Sequence, residues 1–126
     1  MSMRTPLGRV LGLGSAKSGT EHWWLERVTA IAGIPLTMFF IVFVMTHLGA
    51  TRAELVASMG NPLLAIPMAL TVISMLWHMK LGLQVVIEDY VHAPLPKYVS
   101  LLFNTFFTAV LGVAALYAIL KMSFGL

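Results

Sequence analysis

The chain has 126 residues, of which 59% are hydrophobic and only 10% are charged, and its mean hydropathy is +0.88. Ordinary soluble domains contain about 25% charged residues, so this composition excludes a soluble fold and indicates a membrane protein. The absence of cysteine excludes disulfides and thiolate ligands for a metal ion or an iron–sulfur cluster. The net charge is +3, but the basic residues are scattered, so nucleic acid is not an expected partner.

The pattern of apolar runs divides the chain into a polar N-terminal segment, residues 1–27, and a membrane domain, residues 28–126. Crossing the hydrocarbon layer takes about 20 helical residues, and three apolar runs are long enough to do so. The predicted spans are residues 28–49, 62–87 and 98–120. A short loop is expected over residues 50–61, and Pro94 and Pro96 interrupt the helix before the last span. We therefore predict an all-α membrane protein with three transmembrane helices.

The distribution of basic residues predicts the orientation of the chain in the membrane. Lysine and arginine accumulate on the cytoplasmic side of transmembrane helices. Five such residues fall on the N-terminal side and two on the opposite side: Arg4, Arg9, Lys17, Arg27 and Lys97 against Arg52 and Lys121. Neither a secretory signal nor a mitochondrial presequence is evident, so we expect a bacterial inner-membrane protein with a cytoplasmic N-terminus. Arg27, Asp89 and Tyr90 are then expected together at the cytoplasmic face.

His78 is the main candidate for a functional residue, because an ionisable side chain inside a membrane span costs a few kcal/mol. A histidine at this position can also serve only as a hydrogen-bonding partner of a neighbouring helix, and position alone does not separate the two interpretations. Thr71 and Ser74 precede His78 by seven and four residues and Gly82 follows it by four, so all three share its helix face. This stripe of small or polar side chains predicts a surface against which a flat macrocycle packs.

His47 is a possible second ligand, but its expected depth argues against a shared metal. It lies about 29 Å along the first span, whereas His78 is about 15 Å from the same membrane face. We therefore predict that His47 is an interfacial histidine on the far side. Asp89 follows His78 by 11 residues, which is about three helical turns, so the two share a face if the helix continues. The sequence suggests no role for Lys80.

Two segments carry a resemblance to a known family. Arg27-Val28-Thr29-Ala30-Ile31 opens the first span, and WHMKLGLQVVIEDYVH places Asp89-Tyr90 at a fixed distance after His78. Both segments resemble the small hydrophobic membrane anchor subunits of succinate dehydrogenase (complex II), of the cytochrome b556 type. The resemblance extends from residue 11 to about residue 92 and includes the three-span layout, while the third span matches only in being apolar.

The resemblance implies a subunit of the electron-transport chain that also serves the tricarboxylic acid cycle. His78 would be an axial ligand of haem b, and a second hydrophobic anchor subunit, packed in the same helical bundle, would supply the other ligand. Arg27 would lie near the haem propionates. Tyr90 would hydrogen-bond ubiquinone, the substrate, with Asp89 orienting the site or relaying protons. FAD and the iron–sulfur clusters would be held by a flavoprotein and an iron–sulfur subunit, so this chain would catalyse nothing in isolation.

Two other functions remain open at the level of sequence. The anchor of a fumarate reductase uses the same electron path in the opposite direction. A non-redox structural membrane subunit would need His78 only for helix packing. Neither the partner residues that complete the sites nor the haem potential, the physiological direction and the oligomeric state of the complex follow from the sequence.

Overall fold

The computed structural model describes residues 5–12 and 19–126, and within these ranges every regular element is a helix. The elements in chain order are α1 (Pro6–Val10), α2 (Gly19–Thr46), α3 (Arg52–Met59), α4 (Pro62–Tyr90) and α5 (Pro94–Ser123). Helices α2, α4 and α5 are long and apolar enough to cross a membrane. They contain 28, 29 and 30 residues, or about 42–45 Å of helix, which matches a bilayer including its headgroup regions. The predicted all-α architecture with three spans is confirmed.

The long helices extend beyond the uncharged runs from which the spans were predicted. Helix α2 begins at Gly19, well before Val28, because its backbone hydrogen bonds continue through the polar residues of the interfacial region. Helix α5 begins at Pro94 rather than near Tyr98. A proline in the first helical turn is tolerated, since the amide hydrogen that it lacks has no partner within the helix there. Arg4 and Lys17, which entered the orientation argument, lie outside the described residues.

The connection between the first two spans contains helix α3, where the sequence analysis expected only a loop. Thr51 Oγ1 accepts a hydrogen bond from Glu54 N (3.3 Å), and the Glu54 carboxylate accepts one from Thr51 N (2.6 Å). This reciprocal arrangement is a capping box, and its Thr-x-x-Glu pattern is readable in the sequence. Before this helix, Gly49 adopts a positive φ of 78°, which glycine reaches without strain, and the chain turns after α2.

Helix α4 is central, with α2 packed on one side and α5 on the other, while the backbones of α2 and α5 do not approach each other closely. The small core consists of Met59, Met68 and Ile119, and the side chains of Phe39 and Phe43 pack against it. It lies at the end of the spans next to α3. Most large apolar side chains of the three long helices face outward, which lipid or a partner helix accommodates and water does not.

Asn104 provides a polar contact between α4 and α5. Its side-chain amide donates a hydrogen bond to the Lys80 carbonyl oxygen (3.0 Å), and the residue is only 4% exposed. The Asn104 Oδ1 atom is buried and has no hydrogen-bond partner among the described residues. The contact therefore depends on the donor half of the amide, whereas the acceptor half is desolvated without compensation.

Replacing the donor at position 104 is expected to loosen the packing of α5 on α4. Asn104→Asp removes the N–H group and brings a carboxylate into a low-dielectric contact, at a cost of about 2–3 kcal/mol. Asn104→Leu removes the unpaired oxygen together with the donor and is expected to be much milder. Thermal unfolding in detergent, followed by helical circular dichroism, measures both variants. Equal destabilisation by the two substitutions would contradict this account.

The stability of α3 is expected to depend on pH. The backbone hydrogen bond from Thr51, followed by that from its hydroxyl, holds the pKa of Glu54 below its ordinary value of 4.5. A lowered pKa in the folded state stabilises the helix above the ordinary value, and this contribution is lost as the pH falls through the lowered pKa. Hydrogen exchange across α3 is expected to accelerate, relative to intrinsic rates, below pH 4.5. Glu54→Gln should abolish that pH dependence.

Candidate functional site

His78 lies near the middle of α4, about 24 Å along the helix from Pro62 and about 18 Å from Tyr90. The residue is exposed at the surface of the chain, at the edge of the contact between α4 and α2. The sequence predicts a mid-membrane position for this histidine; the structure fixes its place along α4, and its depth in the bilayer stays a prediction.

One ring nitrogen of His78 is bonded to helix α2. The His78 Nδ1 atom lies 2.9 Å from Thr29 Oγ1. The same Thr29 hydroxyl lies 2.8 Å from the Leu25 carbonyl oxygen and 3.1 Å from the Glu26 carbonyl oxygen. Within the described ranges no hydrogen bond involves His78 Nε2. The sequence analysis treated helix packing and ligand binding as alternatives, but the two ring nitrogens allow the same imidazole to do both.

A groove of about 480 Å³ runs beside His78 between α2 and α4. Its lining is mainly apolar and consists of Thr29, Ala30, Gly33, Ile34, Thr37, Met38, Met75 and His78. A Cβ atom added to Gly33 would meet no other atom within 4 Å, so glycine keeps this wall low. This volume lies within the range of about 300–1,000 Å³ that is typical of ligand and cofactor sites. The groove is therefore an apolar cleft with a single imidazole at its edge.

The predicted small-residue stripe on α4 does not form the wall of this groove. Thr71 is buried at 2% exposure, and its hydroxyl donates to the Pro67 carbonyl oxygen (2.7 Å). The Ser74 hydroxyl donates to the Thr29 carbonyl oxygen (3.4 Å), so Ser74 faces α2. That part of the prediction is wrong, because Thr71 is buried within the chain and Ser74 is bonded to α2. Only Gly82 is left with open space around its Cα.

The small residues that line the groove belong instead to α2, and the sequence analysis did not identify them as site residues. Thr29, Ala30 and Gly33 follow one another along one side of that helix. A small-residue pattern of this kind often marks close helix approach in membranes and could have drawn attention to them. What the pattern does not reveal is which part of α4 lies opposite.

His47 is engaged at the other end of the chain's membrane domain. Its Nε2 atom lies 2.7 Å from Ser58 Oγ and its Nδ1 atom 2.8 Å from the Phe43 carbonyl oxygen. Its ring also stacks on Phe43, with centroids 4.1 Å apart. Thr29, the contact of His78, is about 27 Å from His47 along the helix. The two histidines therefore lie at different depths, as the sequence analysis expected.

Arg27 shares a side of α2 with part of the groove wall. It precedes Ala30 by three residues and Ile34 by seven, spacings that return to the same helix face. Its guanidinium carbon lies 5.5 Å from the centroid of the Trp23 ring, one turn toward the N-terminus. A cation is thus placed beyond the N-terminal end of the groove, where it can meet an anionic group of a ligand.

Asp89 and Tyr90 form the last turn of α4 and are both exposed, Tyr90 at 78%. The helix continues unbroken from His78, so Asp89 returns to the histidine's face after three turns, about 16 Å away. Arg27 does not join this pair. Arg27 is two residues from Thr29, which contacts His78, so it lies near the level of His78 along the helix axes. Tyr90 lies about 15 Å farther along the same direction. The expected cluster of Arg27, Asp89 and Tyr90 is separated into two levels.

Lys80 points away from the groove. It follows His78 by two residues, which places it about 200° around the helix. Its ammonium nitrogen lies 5.7 Å from the centroid of the Trp77 ring, and no carboxylate in the described part of the chain pairs with it. Lys80 therefore belongs to the face of α4 opposite His78.

Comparison with known proteins identifies the family of this chain. A family profile described as "Succinate dehydrogenase/Fumarate reductase transmembrane subunit" matches residues 1–120. The "Succinate dehydrogenase hydrophobic membrane anchor subunit" of Paracoccus denitrificans is 35% identical over 121 residues, which cover 96% of this chain and 93% of that protein. The protein of the same name from Rickettsia bellii is 35% identical over 88 residues, 70% of each chain.

A third relative is the "Succinate dehydrogenase membrane anchor subunit" of Reclinomonas americana, 33% identical over 88 residues that cover 68% of this chain and 73% of that protein. No solved structure shows a significant match. With a profile that spans nearly the whole sequence and a relative that aligns almost end to end, this chain belongs to the succinate dehydrogenase/fumarate reductase transmembrane subunit family.

Proposed function

We propose that this chain is the hydrophobic membrane anchor subunit of a succinate dehydrogenase, and that within the complex it binds haem b and contributes to the site of ubiquinone reduction. The observation that carries the proposal is the imidazole of His78, held near the middle of α4 beside an apolar groove with its Nε2 atom unbonded by any described residue. Membership of the family supports assembly into a succinate dehydrogenase complex, and the geometry around His78 supports haem binding.

The donor set of this site suits haem better than a bare metal ion. A metal ion held by side chains generally needs three or four ligands, and no group of three potential ligands occurs in the described residues. Haem iron takes four ligands from the porphyrin and needs only axial ligands from protein. His78 would provide one of them, and the low wall at Gly33 and Ala30 would leave space for a flat apolar ring.

The second axial ligand would come from another polypeptide. His47 is about 27 Å away along α2, too far to reach an iron bound by His78. His78 itself is exposed at the surface of the chain, so a docked partner helix can cover it. The proposed partner is a second hydrophobic anchor subunit, with lipid around the remaining faces. The flavoprotein and iron–sulfur subunits would dock at the end of the membrane domain that carries Tyr90.

Arg27 would bind the carboxylates of the haem. Its position beyond the groove, on the same face as Ala30 and Ile34, places a permanent cation where propionate groups can extend toward the membrane surface. A guanidinium binds carboxylate in a two-pronged geometry and stays charged at any physiological pH. When bound, haem supplies a one-electron carrier within the membrane.

Tyr90 and Asp89 would contribute to ubiquinone reduction at the end of α4. Ubiquinone takes up two electrons and two protons to become ubiquinol. The electrons would come from succinate through FAD and iron–sulfur clusters of the partner subunits, since this chain has no cysteine to hold a cluster. The Tyr90 hydroxyl would donate a hydrogen bond to a quinone oxygen as negative charge develops there. The exposed Asp89 carboxylate would connect that site with protons of the solvent.

The proposed location is the bacterial inner membrane, with the N-terminus in the cytoplasm. The excess of lysine and arginine on the N-terminal side supports this orientation. It would place Tyr90 at the cytoplasmic surface and α3 on the opposite side. Succinate oxidation by the peripheral subunits would then take place in the cytoplasm.

The family also includes fumarate reductase anchors, which makes the reverse reaction the second candidate function. The names of the relatives favour the succinate dehydrogenase direction. A redox titration of the purified complex with its native quinone decides between them. A purely structural role would leave the groove beside His78 without a function, and it predicts a colourless complex.

Removing the imidazole is expected to remove haem from the assembled complex. His78→Ala should lose the six-coordinate b-type spectrum expected of the parent complex, because His78 is the one imidazole among the described groove residues and the thioethers of Met38 and Met75 are weaker iron ligands. The measurement is an optical spectrum of the purified four-subunit assembly, normalised to protein. His47→Ala is the matched control and should retain the spectrum, since His47 lies at a different depth.

A steric variant tests the groove independently of the ligand. Gly33→Leu adds a side chain into space that the chain itself leaves empty, so it should lower haem content without unfolding the subunit. Full haem content in both His78→Ala and Gly33→Leu would exclude this site.

Replacing the Tyr90 hydroxyl is expected to slow quinone reduction and leave haem content unchanged. Loss of one hydrogen bond of about 1–3 kcal/mol in the transition state corresponds to a decrease of roughly 5- to 150-fold in succinate–quinone reductase activity for Tyr90→Phe. Tyr117→Phe is the matched control, since Tyr117 is similarly exposed but lies toward the other end of the membrane domain. Unaltered turnover in Tyr90→Phe would argue against a quinone contact.

A further inference from the structure

We propose that Thr29 is a positioning residue for His78: it holds the imidazole in the tautomer with the proton on Nδ1 and so directs the lone pair of Nε2 into the groove. This inference rests on the proposed role of His78 as a haem ligand. It assigns a function to a residue on a different helix from the ligand.

The allocation of hydroxyl protons supports the tautomer. A threonine hydroxyl has one proton to donate and two lone pairs with which to accept. Two carbonyl oxygens of the preceding turn, Leu25 O at 2.8 Å and Glu26 O at 3.1 Å, are acceptors only and take that proton. The remaining contact, 2.9 Å to His78 Nδ1, is then satisfied by an N–H group on the histidine. In a neutral imidazole the proton on Nδ1 leaves Nε2 as the acceptor, which is the atom that can bind a metal.

The position of Thr29 is fixed by a second bond to the same helix. The Ser74 hydroxyl, one turn from His78 on α4, donates to the Thr29 carbonyl oxygen (3.4 Å). Thr29 is therefore tied to α4 through both its side chain and its backbone. Thr29 is also half-buried, so water competes little for its hydroxyl. Together these contacts restrict rotation of the imidazole, as the partner of a metal-binding histidine commonly does.

A hydrogen bond from Nδ1–H also affects the strength of the ligand. It increases the basicity of Nε2, which favours the more positively charged, ferric state of a bound iron. Thr29 should therefore lower the midpoint potential of the haem relative to a site without the hydroxyl. A residue that only packed against the histidine would leave that potential unchanged, so the two roles are distinguishable.

The test uses the intact purified complex with Thr29→Val, which keeps the shape of the side chain and removes the hydroxyl. We expect haem affinity to fall by about 10- to 100-fold, the usual effect of losing such a partner. The haem that remains should have a higher midpoint potential and an altered electron paramagnetic resonance spectrum in the oxidised state. Thr29→Ser retains the hydroxyl and should resemble the parent.

Thr105→Val is the matched control, since the Thr105 hydroxyl likewise donates to the carbonyl oxygen four residues earlier (3.0 Å) but lies on α5, outside the groove. It should leave the potential and the spectrum as they are in the parent. An unchanged potential and spectrum in Thr29→Val would overturn the inference, as would a Thr29→Ser complex altered as much as Thr29→Val. Complete haem loss in Thr29→Val with retention in Thr29→Ser supports it.

The design separates this inference from the proposal on which it rests. If the parent complex contains haem that disappears in His78→Ala, while Thr29→Val is unchanged, only the role of Thr29 fails. If haem is absent from the parent or persists in His78→Ala, the ligand role of His78 fails, and the role of Thr29 fails with it.

Discussion

An imidazole in the middle of a membrane costs a few kcal/mol unless its polar atoms have partners. In this chain the hydroxyl of Thr29 supplies one partner, at 2.9 Å from Nδ1, and this contact and the Ser74 bond one turn away join α2 to α4. The other nitrogen has no bond from the described residues, so the site is half satisfied within the subunit. In the proposed function, haem and a second polypeptide would complete this site.

The packing of the helices leads to the same conclusion. Because α4 lies between α2 and α5, side chains of all three long helices come together mainly in the cluster near α3. The remaining apolar surface faces outward, and the groove beside His78 is part of it. The candidate site lies at the surface of the chain, so the proposed function depends on docking of a second polypeptide over it. Membership of a family of transmembrane subunits is consistent with that dependence.

Arg27 and the pair Asp89 and Tyr90 lie at two different levels along the helices, which suggests separate roles toward haem and toward quinone. Arg27 lies close to the depth of His78, whereas Asp89 and Tyr90 lie about 15 Å farther along, at the end of α4. A role for Arg27 toward haem carboxylates is therefore better supported than a direct contact with quinone bound at Tyr90. Substitutions at the two levels should have different effects, on haem in one case and on quinone reduction in the other.

The sequence by itself determined the membrane class, the three spans and the depth difference between His78 and His47, because these follow from composition and from rise per residue. The resemblance also indicated the family. The Thr-x-x-Glu pattern of the capping box is a sequence signal for helix α3 as well. Only the tertiary structure decided that α2, rather than the Thr71–Ser74 stripe, lines the groove, and that Thr29 contacts His78. Helical periodicity gives the faces of each helix, but which faces meet is fixed by packing between helices that are distant in the chain.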